Sequence, residues 1–238
     1  MKSQILVGWF MMLPENHQLL LSGNKKENMS ERKQENRLLL ILSVLLFFCG
    51  VLLPEFIGFL SSDYNSMSNY LSELGAVEAE YSSFINFFGF FPVAIIALTI
   101  VLILRKRLYE YRLAELGLLL LGIGIFMGFM VSFFFPCDYG CPVEGGSLSN
   151  SIHNLNALIT YLVEVTGLIL LSFGLKRFPS NQTRFLVFVA TFITIFGIVM
   201  ILNPTQFEMK GLWQRSVEYT TFALLIFLSL NLKEQTVN

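Results

Sequence analysis

Four polar side chains recur along one face of a long apolar stretch in the second half of the chain. They are His153, Asn156, Thr160 and Glu164, at spacings of three, four and four residues. In a helix this spacing places them on one side, over about 16 Å at 1.5 Å per residue. Imidazole and carboxylate groups can exchange protons with a bound molecule. Because an ionisable residue in an apolar helix usually faces a bundle interior or a wet cavity, we expect this face to line a site.

Two polar loops and the start of the last apolar stretch supply the other candidate residues. A hydroxyl nucleophile, an imidazole base and an orienting carboxylate would together suit acyl transfer or hydrolysis. No Gly-x-Ser-x-Gly elbow surrounds Ser72, so the nucleophile assignment is weakly supported. No cofactor is predicted. The predicted catalytic residues are His153, Ser72, Asp138 and Glu73, and the predicted substrate-binding residues are Asn69, Arg215 and Glu164.

The same residues also fit a structural network that ties the ends of helices together. Arg215 is predicted to pair with at least one carboxylate, and Glu218, three residues further on, lies within reach on one helix face. His153 would then only cap its helix. The sequence leaves the functional and the structural interpretation open. The candidate partners of Arg215 are Glu55, Glu73, Asp138 and Glu218.

A cysteine pair lies in a loop that contains proline and glycine. Cys137 and Cys141 are close enough in sequence for a tight disulfide, with Gly140 supplying the turn. A pair of free thiols or a two-thiolate metal site is the alternative. A structural zinc site needs four ligands, so no metal site is predicted. Cys49 lies within an apolar stretch and is expected to be a small buried residue.

The composition indicates an integral membrane protein. Hydrophobic residues make up 54% of the 238 residues and charged residues 14%, whereas about 25% of a soluble domain is charged. The net charge is −1, and no segment is basic enough to follow a nucleic-acid backbone, so nucleic-acid partners are not expected. The expected partners are the lipid bilayer and a lipid-like ligand.

Six stretches are long and apolar enough to cross a membrane as helices. About 20 apolar residues span the hydrocarbon region, and a helix satisfies its own backbone polar groups there. We therefore predict an all-α polytopic membrane protein, a bundle of six transmembrane helices. The predicted spans are Leu38–Leu60, Phe84–Leu104, Leu113–Phe135, Ile152–Leu175, Phe185–Leu202 and Leu212–Leu232.

Three segments follow from these spans. Residues 1–36 are predicted to be a polar cytoplasmic tail, residues 37–232 the six-helix transmembrane domain, and residues 233–238 a second cytoplasmic tail. Met29 opens a polar basic stretch directly ahead of the first span, so it is an alternative start of translation. The short apolar run Ile5–Leu13 lacks a small-residue cleavage site and is a weak signal-peptide candidate.

Basic residues alternate strictly between the two sides of the predicted spans. Fourteen Lys and Arg residues fall in the tails and in the loops after spans two and four, and only Lys210 and Arg215 fall on the other side. Basic residues concentrate on the cytoplasmic side of membrane proteins. Both termini are therefore predicted to be cytoplasmic, with the protein in the cell membrane and the polar loops on the extracytoplasmic face.

Small residues and local signals predict how some elements pack. Gly124, Gly128 and Ser132 recur every fourth residue, which allows a neighbouring helix to approach closely. Packing inside the bundle is favoured over dimerisation, and the oligomeric state stays open. The first polar loop is predicted to contain a short helix or re-entrant turn that stops at Gly75. Pro54 is expected to kink the first span.

Several short motifs together resemble a known family. Ser-Asn-Tyr-Leu-Ser-Glu-Leu-Gly at Ser68–Gly75 precedes span two, Phe-Pro-Cys-Asp stands at Phe135–Asp138, His153 heads span four, and Gln214–Arg215 opens span six. Over residues 38–232 the chain resembles the prokaryotic six-helix membrane family catalogued as domain of unknown function 998. In layout it is distantly similar to the damage-regulated autophagy modulator group. The resemblance implies an architecture and no catalytic residues.

Three functions fit these residues. The first is binding or processing of a lipid-like substrate at the extracytoplasmic face. The second is transport of a small molecule, for which Glu164 lies deep in a span, although no inverted repeat is visible. The third is a non-catalytic assembly role. A polar cluster that opens as a pocket would favour the first two, and a cluster closed by ion pairs would favour the third.

Overall fold

Helices form almost all of the described chain. The computed structural model describes the backbone of residues 15–232 and the side chains of residues 30–232 except 204, 206 and 207. Residues 15–232 contain helices and turns but no strand. The run Ile5–Leu13 and the predicted tail 233–238 lie outside the described residues. The chain divides into two compact units, Met1–Leu38 and Leu39–Asn238, and the backbone of the first is helical from Glu15.

Eight α-helices alternate with short 3-10 and π turns in the described residues. The 3-10 turns cover Leu71–Gly75, Arg105–Leu108, Leu175–Arg177 and Pro204–Met209. Two π turns cover Phe48–Leu52 and Asn86–Phe90. The helices are α1 (Glu15–Phe47), α2 (Leu53–Leu60), α3 (Ser82–Ile85), α4 (Phe91–Leu104), α5 (Arg112–Phe134), α6 (Leu148–Gly174), α7 (Asn181–Ile201) and α8 (Lys210–Asn231).

Five helical stretches of the described chain are long and apolar enough to cross a membrane. They agree with the first five predicted spans to within four residues at most ends, although the first begins earlier than expected. The last helix, α8, is long enough but carries Lys210, Arg215 and Glu218 in its first nine residues. The five stretches are Ser30–Leu60, Ser82–Leu108, Arg112–Phe134, Leu148–Arg177 and Asn181–Ile201.

Both prolines within the first two spans follow a π turn directly. Pro54 and Pro92 lie in the first two positions of α2 and α4. A proline ring would clash with the carbonyl four residues earlier in a regular helix. A π turn adds a residue per turn at that point and so accommodates the ring without breaking the span. The two π turns also pack against each other in the bundle.

Helices α5 and α6 form the closest helix pair. A Cβ atom on Gly167 would lie 2.6 Å from the backbone nitrogen of Leu121, and Gly117 faces Leu171 in the same way. Gly124 and Gly128 lie against the side chains of Glu164 and Thr160. The small-residue face of α5 therefore packs inside the chain, as predicted, and it sets the polar face of α6 against α5.

Residues 61–81, which we call the outer loop, and residues 135–147, which we call the cysteine loop, contact each other, and the outer loop also contacts the start of α8. The short helix expected before the second span is the 3-10 turn Leu71–Gly75, which ends at Gly75 as predicted. The backbone nitrogen of Leu71 donates to Oε1 of Gln214 at 2.6 Å. The backbone nitrogen of Val77 donates to the carbonyl of Cys137 at 2.8 Å. The first bond holds the Leu71–Gly75 turn against the start of α8, and the second holds the outer loop against the cysteine loop.

Candidate functional site

Arg215 on α8 is held entirely by groups of the protein. Its Nε donates to Oε1 of Glu55 at 2.7 Å, and its Nη1 donates to the carbonyls of Ser66, Asn69 and Gly211 at 2.9–3.2 Å. Its Nη2 donates to the hydroxyl of Tyr64. Arg215 thus pairs with one of the four predicted carboxylates, Glu55. Glu218, the candidate partner on the same helix, instead accepts a hydrogen bond from Tyr161.

The hydroxyl groups around this ion pair complete the network. Tyr219 donates to the same carboxylate oxygen of Glu55, and Tyr64 donates to the carbonyl of Tyr70 at 2.9 Å. Burial raises the pKa of Tyr64 to about 12, although Arg215 beside it acts in the opposite sense. Tyr64 therefore keeps its proton at neutral pH and remains a hydrogen-bond donor. The network ties α2, the first outer loop and α8 together.

A second ion pair holds Glu73, a residue that the sequence assigned to catalysis. Lys210 Nζ lies 2.9 Å from Glu73 Oε1, and both side chains are buried. Asn69 donates to Oε2 of Glu73 at 2.6 Å, and the backbone nitrogen of Tyr70 donates to Oε1 at 2.9 Å. Lys210 also lies over the ring of Tyr70. The carboxylate of Glu73 therefore positions the 3-10 turn that carries Ser72.

Asp138 binds the start of α6. Its Oδ2 accepts a bond from the backbone nitrogen of Ser147 at 2.6 Å and its Oδ1 one from the Ser147 hydroxyl at 2.7 Å. These hydrogen bonds lower the pKa of Asp138 below its usual range, so the carboxylate is ionised at neutral pH. The buried Asn150 spans the same loop and donates to the carbonyl of Pro142 at 2.9 Å. Asp138 thus closes the cysteine loop onto α6.

Cys137 and Cys141 form a disulfide in the structure. Their Cα atoms lie 5.1 Å apart, and both residues are buried. Gly140 between them adopts φ 77°, in the left-handed region that favours glycine. Both sulphur atoms and one ring nitrogen of His153 lie within 4.8 Å of one another. Thiolates and imidazole are zinc ligands in type, but a disulfide has no thiolate to offer a metal.

His153 is buried at the head of α6 and is oriented by a backbone carbonyl. Its Nδ1 lies 3.2 Å from the carbonyl oxygen of Phe135. A carbonyl only accepts, so Nδ1 is the donor, and in the neutral ring the lone pair is then on Nε2. Such a bond fixes both the tautomer and the plane of the imidazole. His153 therefore presents one defined nitrogen to its surroundings.

The structure does not assemble a serine, histidine and carboxylate triad from the predicted catalytic residues. Asp138 and Glu73 are occupied by Ser147 and Lys210, and the group that orients His153 is the Phe135 carbonyl. Ser72 does lie near His153, since both line the same two cavities. The Ser72 hydroxyl is 3.7 Å from the sulphur of Cys141.

An apolar groove of about 460 Å³ runs between α6, α7 and the start of α8. Its polar lining includes Ser72, His153, Lys210 and Gln214, and we call this part the polar end of the groove. We call this cavity the apolar groove, and its aliphatic lining includes Val143, Leu158, Leu162, Ile198, Ile201 and Leu202.

A smaller cavity of about 40 Å³ lies behind the same polar residues. We call it the carboxylate cavity, because Glu164 of α6 and Glu218 of α8 both line it. The hydroxyl of Tyr161 donates to Oε1 of Glu218 at 3.3 Å. The predicted polar face of α6 does line a cavity, and Glu164 faces the bundle as expected. The two cavities share Ser72, His153, Ala157, Tyr161 and Gln214.

Sequence reasoning missed several residues of this site. Lys210 was read only as a topology signal, although its position one turn ahead of Gln214 on α8 could have paired it with the outer loop. Tyr161 lies on α6 between Thr160 and Glu164 and is not among the predicted site residues. Glu218 is predicted only as one of four candidate partners of Arg215. A three-residue spacing allows a pair on one helix, but it does not show which neighbouring helix competes for each partner.

One comparison with known proteins returns a match. A family model described as a protein of unknown function (DUF998) matches residues 39–231. No curated protein and no solved structure matches the chain.

Replacing Arg215 by glutamine should destabilise the protein strongly. Breaking a fully buried ion pair costs about 3–5 kcal/mol, and the cost here is lower because the side chain of Glu55 is 40% exposed. Thermal unfolding of the detergent-solubilised protein measures the loss. The control is Arg112→Gln, since Arg112 is 81% exposed in its pair with Glu115 and such pairs contribute about 0–1 kcal/mol. Equal effects of the two substitutions would contradict the structural role of Arg215.

The cysteine loop should be oxidised in the protein isolated from its membrane. Only one thiol, that of Cys49, should then react with a maleimide after denaturation without reductant, and all three should react after reduction. Intact mass counts the added groups, and Cys49→Ser should remove the single unreduced label. Modification of Cys137 and Cys141 without reductant would show that the disulfide is absent.

Proposed function

The chain belongs to the DUF998 family of proteins of unknown function, and from that premise we propose that it is an integral membrane protein whose apolar groove binds a lipid-like amphiphile. The observation that carries this proposal is the groove itself. Its volume of about 460 Å³ lies within the usual range of small-molecule sites, about 300–1,000 Å³.

The lining of the groove matches the two ends of an amphiphile. Leu158, Leu162 and Leu202 are about half exposed or more, although each lines the groove. In a bilayer such a wall faces hydrocarbon and admits an acyl chain sideways. The polar end offers the hydroxyl of Ser72 and the Nε2 atom of His153, which suit a hydrogen-bonding headgroup.

The proposed topology has six membrane spans with both termini in the cytoplasm. Helix α8 is the sixth span, because its 22 residues would extend about 33 Å at 1.5 Å per residue. Its two basic side chains are neutralised by Glu73 and Glu55, which lowers the cost of placing its first turns near the membrane. The distribution of Lys and Arg supports an extracytoplasmic position for the polar end of the groove.

Within the site, we assign two kinds of role to the predicted residues. Ser72 and His153 stand at the polar end of the groove and are the residues that would contact the headgroup. Asn69 and Arg215 hold the outer loop, and Glu73 and Asp138 act as positioning residues for Ser72 and α6. Processing of the ligand would fall to the Ser72 hydroxyl with His153 Nε2 as base, acting without a carboxylate orienter.

Two alternative functions keep specific support. The shared wall of the groove and the carboxylate cavity favours transport, because it would place a bound solute next to Glu164. Arg215 and Lys210 are paired within the protein, which favours a structural role for these two charges but not for the rest of the site. The open groove supports ligand binding over an assembly role for the site as a whole.

The topology predicts which exposed positions an impermeant reagent reaches in intact cells. In a Cys49→Ser background, Glu144→Cys should react with a charged maleimide from outside. Arg112→Cys should react only after the membrane is permeabilised. Both positions are exposed, so accessibility within the fold is matched. The reverse pattern would overturn the proposed orientation.

Filling the groove should prevent ligand binding. Ala157→Trp adds an indole ring at the wall between the groove and the carboxylate cavity. We expect it to reduce crosslinking of a photoreactive fatty acid to the membrane-embedded protein several-fold. The labelled peptides of the wild-type protein should map to α6 and α7.

The matched control is Leu155→Trp, two residues away on α6. Leu155 is 59% exposed and is not among the groove residues, so the same ring added there should leave crosslinking unchanged. Equal crosslinking of wild type and Ala157→Trp would remove the groove as the binding site. A parallel loss in Leu155→Trp would show that the effect is not specific to the groove.

A further inference from the structure

Two buried carboxylates in the carboxylate cavity each have an oxygen without a protein partner. Glu164 is 2% exposed and Glu218 is 6% exposed. Among the described residues, no group forms a hydrogen bond with Oε2 of either side chain. Both side chains line the same cavity of about 40 Å³, which is large enough for a water molecule or a small ion.

In the described part of the chain, no lysine or arginine lines the carboxylate cavity, and the one imidazole in its lining, that of His153, is hydrogen-bonded through Nδ1 to the carbonyl of Phe135. The basic residues of α8 nearest in sequence are held by the outer loop, Arg215 by Glu55 and Lys210 by Glu73. An unpaired carboxylate in hydrocarbon is very costly, and two facing one cavity repel each other as well. Because no lysine or arginine of the described chain reaches the pair, a bound cation or a proton is needed to neutralise it.

We propose that the carboxylate cavity binds a hard metal cation through Glu164 and Glu218. The lining supplies oxygen ligands besides the two carboxylates, from the hydroxyls of Ser132, Thr160 and Tyr161 and from the amide of Asn156. Hard cations such as Ca²⁺ and Na⁺ prefer oxygen ligands. Two carboxylates balance the charge of a divalent ion, or that of a monovalent ion together with one proton.

The packing of α5 keeps the cavity suited to an ion. A Cβ on Gly124 would collide with Cγ of Glu164, so glycine at this position allows the glutamate to lie flat against α5. Gly128 and Ser132, on the same face of α5, line the cavity. The Ser132 hydroxyl donates to the carbonyl of Gly128 at 2.7 Å, which leaves its lone pairs available as acceptors for a cation. The cation site does not require that the groove binds an amphiphile.

Thermal unfolding of the purified, chelator-treated protein in detergent tests the cation site. Calcium chloride and sodium chloride are titrated separately, with choline chloride as the control for ionic strength. We expect at least one of the two salts to raise the Tm of the wild-type protein in a saturable way. Glu164→Gln and Glu218→Gln should each weaken the apparent affinity by about tenfold or more.

Each variant keeps the size of its side chain and removes one charge. In the absence of ions, neither should melt below the wild-type protein, because a buried amide costs less than a buried carboxylate. The control Glu78→Gln/Glu80→Gln removes two exposed carboxylates of the outer loop and should keep the full response to ions. If neither salt raises the Tm, protons neutralise the pair and the proposal is wrong. A response retained in both cavity variants would place the cation elsewhere and also overturn it.

Discussion

The cost of placing charge next to hydrocarbon governs this fold. Helix α8 carries two basic residues near its start, and each is matched by a carboxylate from an earlier part of the chain. Arg215 binds Glu55 of α2, and Lys210 binds Glu73 of the Leu71–Gly75 turn. Because these partners lie far apart in sequence, the two pairs fix the relative positions of the outer loop, α2 and α8. The position of Ser72, and with it the polar end of the groove, depends on the second pair.

The buried polar groups differ in how completely the protein satisfies their hydrogen bonds. At the outer surface the charges of Arg215, Lys210 and Asp138 are fully engaged by the protein. One layer deeper, His153 is oriented by a backbone carbonyl while its second nitrogen remains available. Deeper still, Glu164 and Glu218 face a cavity with unpaired oxygens. The groups that could still bind a ligand or an ion are therefore the deeper ones. The charged residues of the loops are paired within the protein and hold the deeper groups in position.

The length of the apolar stretches predicted most of the helices, because a membrane span depends on local composition. The ends of α5 and α7 lie within four residues of the predicted ones for that reason. The pairing of the polar residues was harder to predict, since it depends on which helices become neighbours. Four carboxylates were candidate partners of Arg215, and only the packing of the helices selects Glu55 over Glu218 on the same helix. Likewise, the carboxylates predicted to orient His153 are held by Ser147 and Lys210, contacts that only the folded loops create.

The polar start of α8 has a consequence for the biogenesis of the protein. The polar residues that α8 uses to hold the outer loop also make it less apolar than α4, α5, α6 and α7. A segment of this kind partitions weakly into a bilayer by itself. If α8 is the sixth span, as proposed, its insertion depends on Glu55 and Glu73 already being in place, and α8 is then the last of the described helices to insert. Substitution of Glu55 or Glu73 would therefore act during synthesis. Its first effects would be a C terminus on the wrong side of the membrane and degradation of the protein, before any effect on a bound ligand.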